Sequence, residues 1–409
     1  MAGPLKGIKV LDLSRVLAGP WAGQCLGDLG ADVIKVERPG TGDDTRSWGP
    51  PFYESSVNAG ETVAGYYMSA NRNKRSIAID ITKPAGQELV KRLAAKSDIV
   101  IENYKAGGLA KYGLDYAGLS AVNPGIIYCS ITGFGHTGPY KDRPGYDFLV
   151  QGLGGMMSVT GERDDLPGGG PQKTGVATAD VFTGLYGVIG ILAALHHREK
   201  TGEGQHIDMS LLDTQVAIMG NQAMGYLVSG EEPKRMGNAH ISIVPYQSFA
   251  SSDGHIILAI GNDGQFARFC AAVGREDLSA DERFSTNPGR VRNRDALIPE
   301  VEAIMKTRTT DEWVSLLEAN TVPASPINGM KRVFENEQVV SRNLHVEIDR
   351  GNGEKMPTIA SPIVYSNTKV EYNRPPPDLG EHAEEILDEV LGLSEDEKAE
   401  FRSVLGDKL

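Results

Sequence analysis

Short β-rich runs alternate with helix-patterned segments through the first third of the chain, and that alternation limits the fold more than any other feature. Ile8-Lys9-Val10-Leu11-Asp12-Leu13 reads as a strand, Ala18-Gly19-Pro20 as a loop, Trp21 to Leu29 as a short helix and Val33-Ile34-Lys35-Val36-Glu37 as a second strand. The unit recurs: Arg75 to Ile81 is strand-like, Gly86 to Ala95 helix-like, and Ile99-Val100-Ile101 and Ile126 to Ile131 are strand-like again. Such alternation predicts an α/β fold in which a parallel sheet is covered by helices, a doubly wound, Rossmann-like large domain. Its N-terminal part is expected to span residues 1–225.

Beyond that point the pattern changes. Ile243 to Phe249 and His255 to Ile260 alternate like strands around the turn Ser252-Asp253-Gly254, and Phe266 to Val273 and Leu297 to Met305 are helical, so a smaller α+β domain is expected over 226–325. A third segment, 326–409, carries Pro375-Pro376-Pro377 and a helix-like stretch from Glu381 to Leu391. A nicotinamide dehydrogenase is the first reading such a start suggests, with Glu37 on a ribose. The first turn argues against it, because Val16-Leu17-Ala18-Gly19-Pro20-Trp21-Ala22-Gly23 lacks G-x-G-x-x-G and sets Pro and Trp where a pyrophosphate must approach the backbone.

Composition excludes several function classes. A formal net charge of −13 on 409 residues disfavours nucleic acid as a general partner. An acidic protein that binds an anion must gather its cations locally, and Asn71-Arg72-Asn73-Lys74-Arg75 does so in sequence; a solvated surface cluster is the competing reading. Arg72, Lys74 and Arg75 are therefore candidate contacts to an anionic ligand. No window is read as approaching the roughly 20 apolar residues of a membrane span. The strand-like run begins within a few residues of Met1, which leaves no room for a leader and implies a cytoplasmic protein. Cys25, Cys129 and Cys270 are scattered without CxxC spacing, and His196 and His197 point to different helix faces, so neither a disulfide framework nor a metal site is expected.

The chemistry-bearing stretch runs from Thr174 to Gly187, where Asp180 is set among small and apolar neighbours before the apolar helix Ile189 to Leu195. A buried carboxylate without an adjacent cation needs backbone N–H partners or a task that repays its desolvation. One reading is a helix N-cap. The other is a nucleophile steadied by the positive end of the helix dipole.

Several segments then agree. Pro4 to Pro20, Leu29-Gly30-Ala31-Asp32-Val33-Ile34-Lys35-Val36-Glu37-Arg38-Pro39, Asn71 to Ile77 and Lys200-Thr201-Gly202-Glu203-Gly204-Gln205 resemble the class III coenzyme A transferases, from the first residues to about Leu391. That resemblance implies an enzyme, with Asp180 as the catalytic aspartate. Its carboxylate would attack an acyl-CoA thioester, form a mixed anhydride and then carry CoA as an aspartyl thioester. Coenzyme A enters as a thioester substrate, with no tightly bound cofactor and no metal. The implied contacts are Leu17 and Ala18 at the first CoA loop, Arg38 at a phosphate, Asn103, Tyr104 and Lys105 on the adenosine side, and Tyr146 and Asp147 near the thiol. Lys111 stands where formyl-CoA transferase has an arginine, which keeps the charge but loses the bidentate fork. Thr82, beside Lys83, replaces a contacting lysine and is left open. Gly152-Leu153-Gly154-Gly155 is a possible source of oxyanion-binding amides.

The family's racemase branch has histidine followed by aspartate where this chain has Tyr146-Asp147. Tyrosine, with a reference pKa of about 10, is a poor acid/base near neutrality, so transfer is favoured over racemisation. A CoA-dependent isomerase or a non-catalytic CoA-binding protein remain the alternatives. Gly42 to Phe52, Tyr128 to Gly133, Ser242 to Gln247 and Arg374 to Pro377 resemble the branch that exchanges CoA between succinate and glutarate. This implies succinyl-CoA as donor and a short dicarboxylic acid as acceptor, its distal carboxylate met by Arg15, Arg46 or His240. The resemblance also implies an interlocked homodimer whose large domain is completed by residues 326–409.

Overall fold

A computed structural model describes residues 3–57 and 60–406. Two compact units are formed: a large one from residues 1–156, 174–227 and 338–409, and a small one from 157–173 and 228–337. The small unit therefore differs from the single stretch 226–325. It includes the loop after Met156 and continues to Glu337; that loop is tied to 228–237 by the Gly237 N–H on the Gly161 carbonyl at 3.2 Å and by Arg235 on the Ser158 carbonyl at 3.0 Å.

Six strands form the sheet of the large unit, all paired in parallel. Their spatial order is Lys74–Ala78, Asp32–Glu37 (β2), Lys9–Asp12 (β1), Ile99–Glu102, Ile127–Thr132 and Gln205–Ser210. Chain order thus reverses between β1 and Ile99–Glu102. This is the doubly wound arrangement, and ligands bind such sheets outside the carboxyl ends of the strands at that reversal.

Strand residues alternate between two apolar layers. Val10, Val33, Ile99, Ile101 and Ile127 pack under α1 (Ala18–Asp28) and the helix Thr178–Thr201. Leu11, Ile34, Ile77 and Val100 meet Leu89, Val90 and Leu93 of the helix Pro84–Ala95, together with Ile386, Leu387 and Phe401 near the C-terminus. Residues 380–405 thereby cover the edge strand Lys74–Ala78, with His382 N–H on the Ser76 carbonyl at 3.0 Å and Asp80 N–H on that of Val404 at 2.8 Å. Gly184 permits the close crossing of the two helices, since a Cβ there would stand 2.6 Å from the Ala18 carbonyl oxygen.

Thr178–Thr201 is 24 residues long and apolar enough to cross a membrane by length and composition, which corrects the sequence reading. One face packs on the sheet through Val188, Ile191, Ala194 and Leu195, while Phe182, Leu185, Tyr186, Ile189 and Leu192 are exposed.

The small unit has a three-stranded antiparallel sheet, Ala324–Pro326, His255–Ala259 and Tyr246–Ala250 in that order. Phe249, Ile256, Leu258, Phe266, Phe269, Trp313 and Leu317 form its core.

Candidate active site

A cavity of about 570 Å³ opens at the carboxyl ends of the strands. Its walls include Leu13 to Ala18 after β1 and Asn103 to Ala106 after Ile99–Glu102, which places it at the sheet's topological reversal. Leu17, Ala18, Arg38, Asn103, Tyr104, Lys105, Lys111, Tyr146, Asp180, Arg15 and Thr82 all line it, so most of the residues expected at a CoA site are brought together.

Asp180 lies in the first turn of Thr178–Thr201, inside the helix and not at its cap. The flanking Ala177 supplies no side-chain cap. Asp147 does that work from another helix: its Oδ1 accepts the N–H of Ala179 at 2.8 Å and of Asp180 at 3.3 Å. Gln151, fully buried, donates to Asp147 Oδ2 at 2.7 Å and accepts the Thr174 N–H at 3.0 Å, which ties the incoming loop to the same clamp. Asp147 does not line the cavity, and its oxygens face the helix N-terminus rather than a thiol.

Among the described residues no hydrogen bond reaches the Asp180 carboxylate. Burial, reinforced by the Asp147 charge, pushes its pKa from 3.8 up to about 7. A desolvated, unbonded carboxylate on a cavity wall is a stronger base and nucleophile than a solvated one, provided it is ionised. Tyr66 faces the same region, and its own pKa is raised by burial and by the charges of Asp180 and Asp147.

Cavity-lining cations fall into two groups. Lys35 is consumed by a fully buried ion pair with Asp43 at 2.9 Å, and Arg15 pairs with Asp44 at 2.7 Å. Arg38, Lys105, Lys111, Lys141 and Arg143 have no ion-pair partner among the described residues and are available to an anion. Lys141 and Arg143 were missed in sequence. Their position after the strand Ile127–Thr132, at the same end of the sheet as the other loops, is the signal that points to them.

The basic cluster at 71–75 is structural. Arg72 pairs with Asp28 at 2.5 Å, Lys74 with Asp12 at 2.9 Å, and Arg75 with Asp32 at 2.5 Å and Glu385 at 3.1 Å. All three are buried and none lines the cavity, because the strand that carries them is covered by neighbouring elements. Arg46 likewise serves the fold, bonded to Glu37, the Tyr67 hydroxyl and the Pro377 carbonyl. Glu37 is held by Arg46 and Ser76, which leaves it no ribose to meet. His240 belongs to the small unit, where its Nδ1 accepts the Ser242 N–H at 3.1 Å. The proposed oxyanion run does not line the cavity, and the Gly154 N–H is spent on the Val150 carbonyl at 2.7 Å.

Cys25, Cys129 and Cys270 are unpaired thiols, pushed by burial to about 12, 12 and 11. Among the described residues no group of three or more His, Cys, Asp or Glu side chains is placed to hold a metal ion.

The sheet reversal, the cationic cavity and the buried carboxylate on its wall give the α/β unit a candidate site for an anionic ligand. A profile of CoA-transferase family III matches residues 5–383, and the chain belongs to that family. It is 52% identical over 393 residues to the succinate--glutarate CoA-transferase of Agrobacterium fabrum, covering 95% of this chain and 96% of that one. The Homo sapiens succinyl-CoA:glutarate CoA-transferase is 46% identical over 388 residues, covering 95% and 86%. The crystal structure of a CaiB/BaiF family protein from Brucella suis superposes with a TM-score of 0.85 at 51% identity, covering 95% of this chain and 100% of that one.

Proposed function

We propose that this enzyme moves CoA from succinyl-CoA to glutarate or a similar short dicarboxylic acid, with Asp180 as the covalent carrier. The observation that carries the mechanism is the Asp180 carboxylate itself, unbonded on the wall of a cavity that also presents Arg38, Lys105 and Lys111. Its oxygen attacks the thioester carbonyl; a C–O bond forms, the C–S bond breaks and CoA leaves as thiolate, giving an aspartyl–succinyl anhydride. The thiolate then attacks the aspartyl carbonyl, releasing succinate and leaving an aspartyl-CoA thioester. Glutarate repeats the sequence in reverse: its carboxylate displaces CoA to form a second anhydride, and the thiolate takes the glutaryl group and frees Asp180. The names of the Agrobacterium and human relatives support the donor and acceptor.

Incubation with succinyl-CoA alone, then hydroxylamine and peptide mass analysis, tests this reading. The expected product is a modified peptide carrying Asp180, absent in Asp180→Ala. No adduct, with full turnover in Asp180→Ala, overturns it. An isomerase would instead exchange an α-proton of the acyl group with deuterated solvent in the absence of an acceptor acid.

The exposed stripe Phe182, Leu185, Tyr186, Ile189 and Leu192, beside exposed Phe148, Leu149 and Leu153, is read as a face covered by a second copy of this chain. Light scattering should report a dimer, and a monomer at micromolar concentration would remove that reading.

A further inference from the structure

Val16 has a φ of +72°. A β-branched side chain in the left-handed region is a genuine outlier, because its branch crowds the neighbouring carbonyl. Among the described residues the other non-glycine positive φ angles belong to Asn73, Thr321 and Asn343, and of these four only Val16 lines the cavity.

The backbone around it is gripped by side chains from elsewhere in the fold. Both oxygens of Asp43 lie 3.2 Å from the Val16 nitrogen. Asn103 accepts the Arg15 N–H at 2.9 Å and donates to the Arg15 carbonyl at 2.6 Å, a two-sided bond of the kind a neighbouring strand would make. Lys35 Nζ donates at 2.9 Å both to the Ser14 carbonyl and to Asp43. The Ser14 N–H bonds Asp12 Oδ1 at 3.0 Å. Burial alone would raise the Asp43 pKa, but Lys35 and the Thr45 N–H hold it down at about 2, so the grip is charged across the working range. Strain of this sort persists only where the surroundings over-determine it.

We infer that Asp43 and Asn103 are positioning residues that force Val16 into the left-handed region, so that Leu17 and Ala18 are presented to the cavity before substrate arrives. The inference rests on the proposed binding of a CoA thioester in this cavity. Val16 turns the chain from β1 into α1, and any relaxation of its φ rotates the two residues that follow. Valine serves better than glycine once the grip exists: it has only a narrow allowed well at positive φ, whereas glycine would wander and lose order that must be restored on binding.

A double-mutant cycle on the full-length enzyme separates this from other roles, with CoA affinity by calorimetry and KM and kcat for succinyl-CoA. In Asn103→Ala the two bonds that fix the Arg15 peptide groups are lost and Asp43 alone holds Val16, which can then relax; the Kd for CoA and the KM should rise about tenfold, with kcat within about twofold because Asp180 sits on a different element. Val16→Gly alone should raise KM about twofold. In the double variant glycine tolerates the positive φ with Asp43 alone to hold it, so KM should recover to within about threefold of the parent, and thermal melts confirm folding.

If Asn103 merely touched CoA, Val16→Gly would not rescue its loss and the two effects would add. If it were merely structural, Asn103→Ala would lower the melting temperature and leave KM unchanged. Either result overturns the inference. Failure of the unmodified enzyme to bind CoA would instead remove the proposed function itself.

Discussion

Asp180→Asn should stabilise the protein, by an amount that grows with pH. In the folded chain burial and the Asp147 charge raise the Asp180 pKa from 3.8 to about 7. Between those values the native state holds a proton that the unfolded chain has released, so unfolding becomes easier as pH rises. The slope is about 1.4 kcal/mol per pH unit, and the shift spans roughly 3 units, so full ionisation costs the native state about 4 kcal/mol. The penalty is near zero below the unfolded pKa, about 1.6 kcal/mol at pH 5 and complete by pH 8. Asparagine has the same shape and no charge to desolvate.

Urea titrations of both proteins at pH 5 and pH 8 measure the effect, at equal protein concentration because association adds to apparent stability. The stability gap in favour of Asp180→Asn should widen by about 2.5 kcal/mol between the two pH values. A gap independent of pH, or one that narrows, would refute the claim that this carboxylate is held ionised against its environment. In the proposed mechanism the same substitution removes the nucleophile, so stability would be gained where function is lost.

Asp147→Asn keeps an oxygen for the Ala179 and Asp180 N–H groups but removes the charge that helps raise the Asp180 pKa. Because Asp180 must be ionised to attack in the proposed mechanism, the acid limb of adduct formation should move to lower pH; an unmoved limb sinks the coupling. Arg38→Ala and Lys111→Ala should each raise KM for succinyl-CoA about tenfold and weaken its salt dependence, with kcat nearly unchanged, as steady-state kinetics at two ionic strengths would show. Arg72→Ala strands Asp28 as a buried charge whose partner is gone, so denaturation should show a loss of about 3–5 kcal/mol while KM in the surviving folded enzyme is unaffected.

The sheet was legible because strand and helix periods alternate cleanly, and a doubly wound order follows once the crossovers are helical. Boundaries shifted where chemistry overrode pattern: α1 starts at Ala18, ahead of Pro20, since proline is tolerated in a first helical turn. The small unit was drawn as one stretch because nothing in 157–173 announces that its hydrogen-bond partners lie beyond residue 228. Asp180 stood out through its odd setting and its neighbours, and it lies on the cavity wall. The Asp147 clamp was not, for a carboxylate's partner 32 residues away leaves no local signature. Val16 was still less visible, since valine is the residue that argues against positive φ.

The largest misreading concerned cations, and it shows what decides their role. Arg72, Lys74 and Arg75 lie together in sequence, yet each faces a carboxylate contributed by another element, Asp28, Asp12 and Asp32. Arg38, Lys105, Lys111, Lys141 and Arg143 are spread over more than a hundred positions, yet line one cavity without ion-pair partners among the described residues. Adjacency along the chain therefore says little about anion binding in an acidic protein, where 54 carboxylate residues compete for 41 lysines and arginines. What matters is which cations the fold leaves uncompensated, and a parallel sheet leaves them where its loops end. Those loops come from strands far apart in the chain, so the site is scattered in sequence for the same reason that it is concentrated in space.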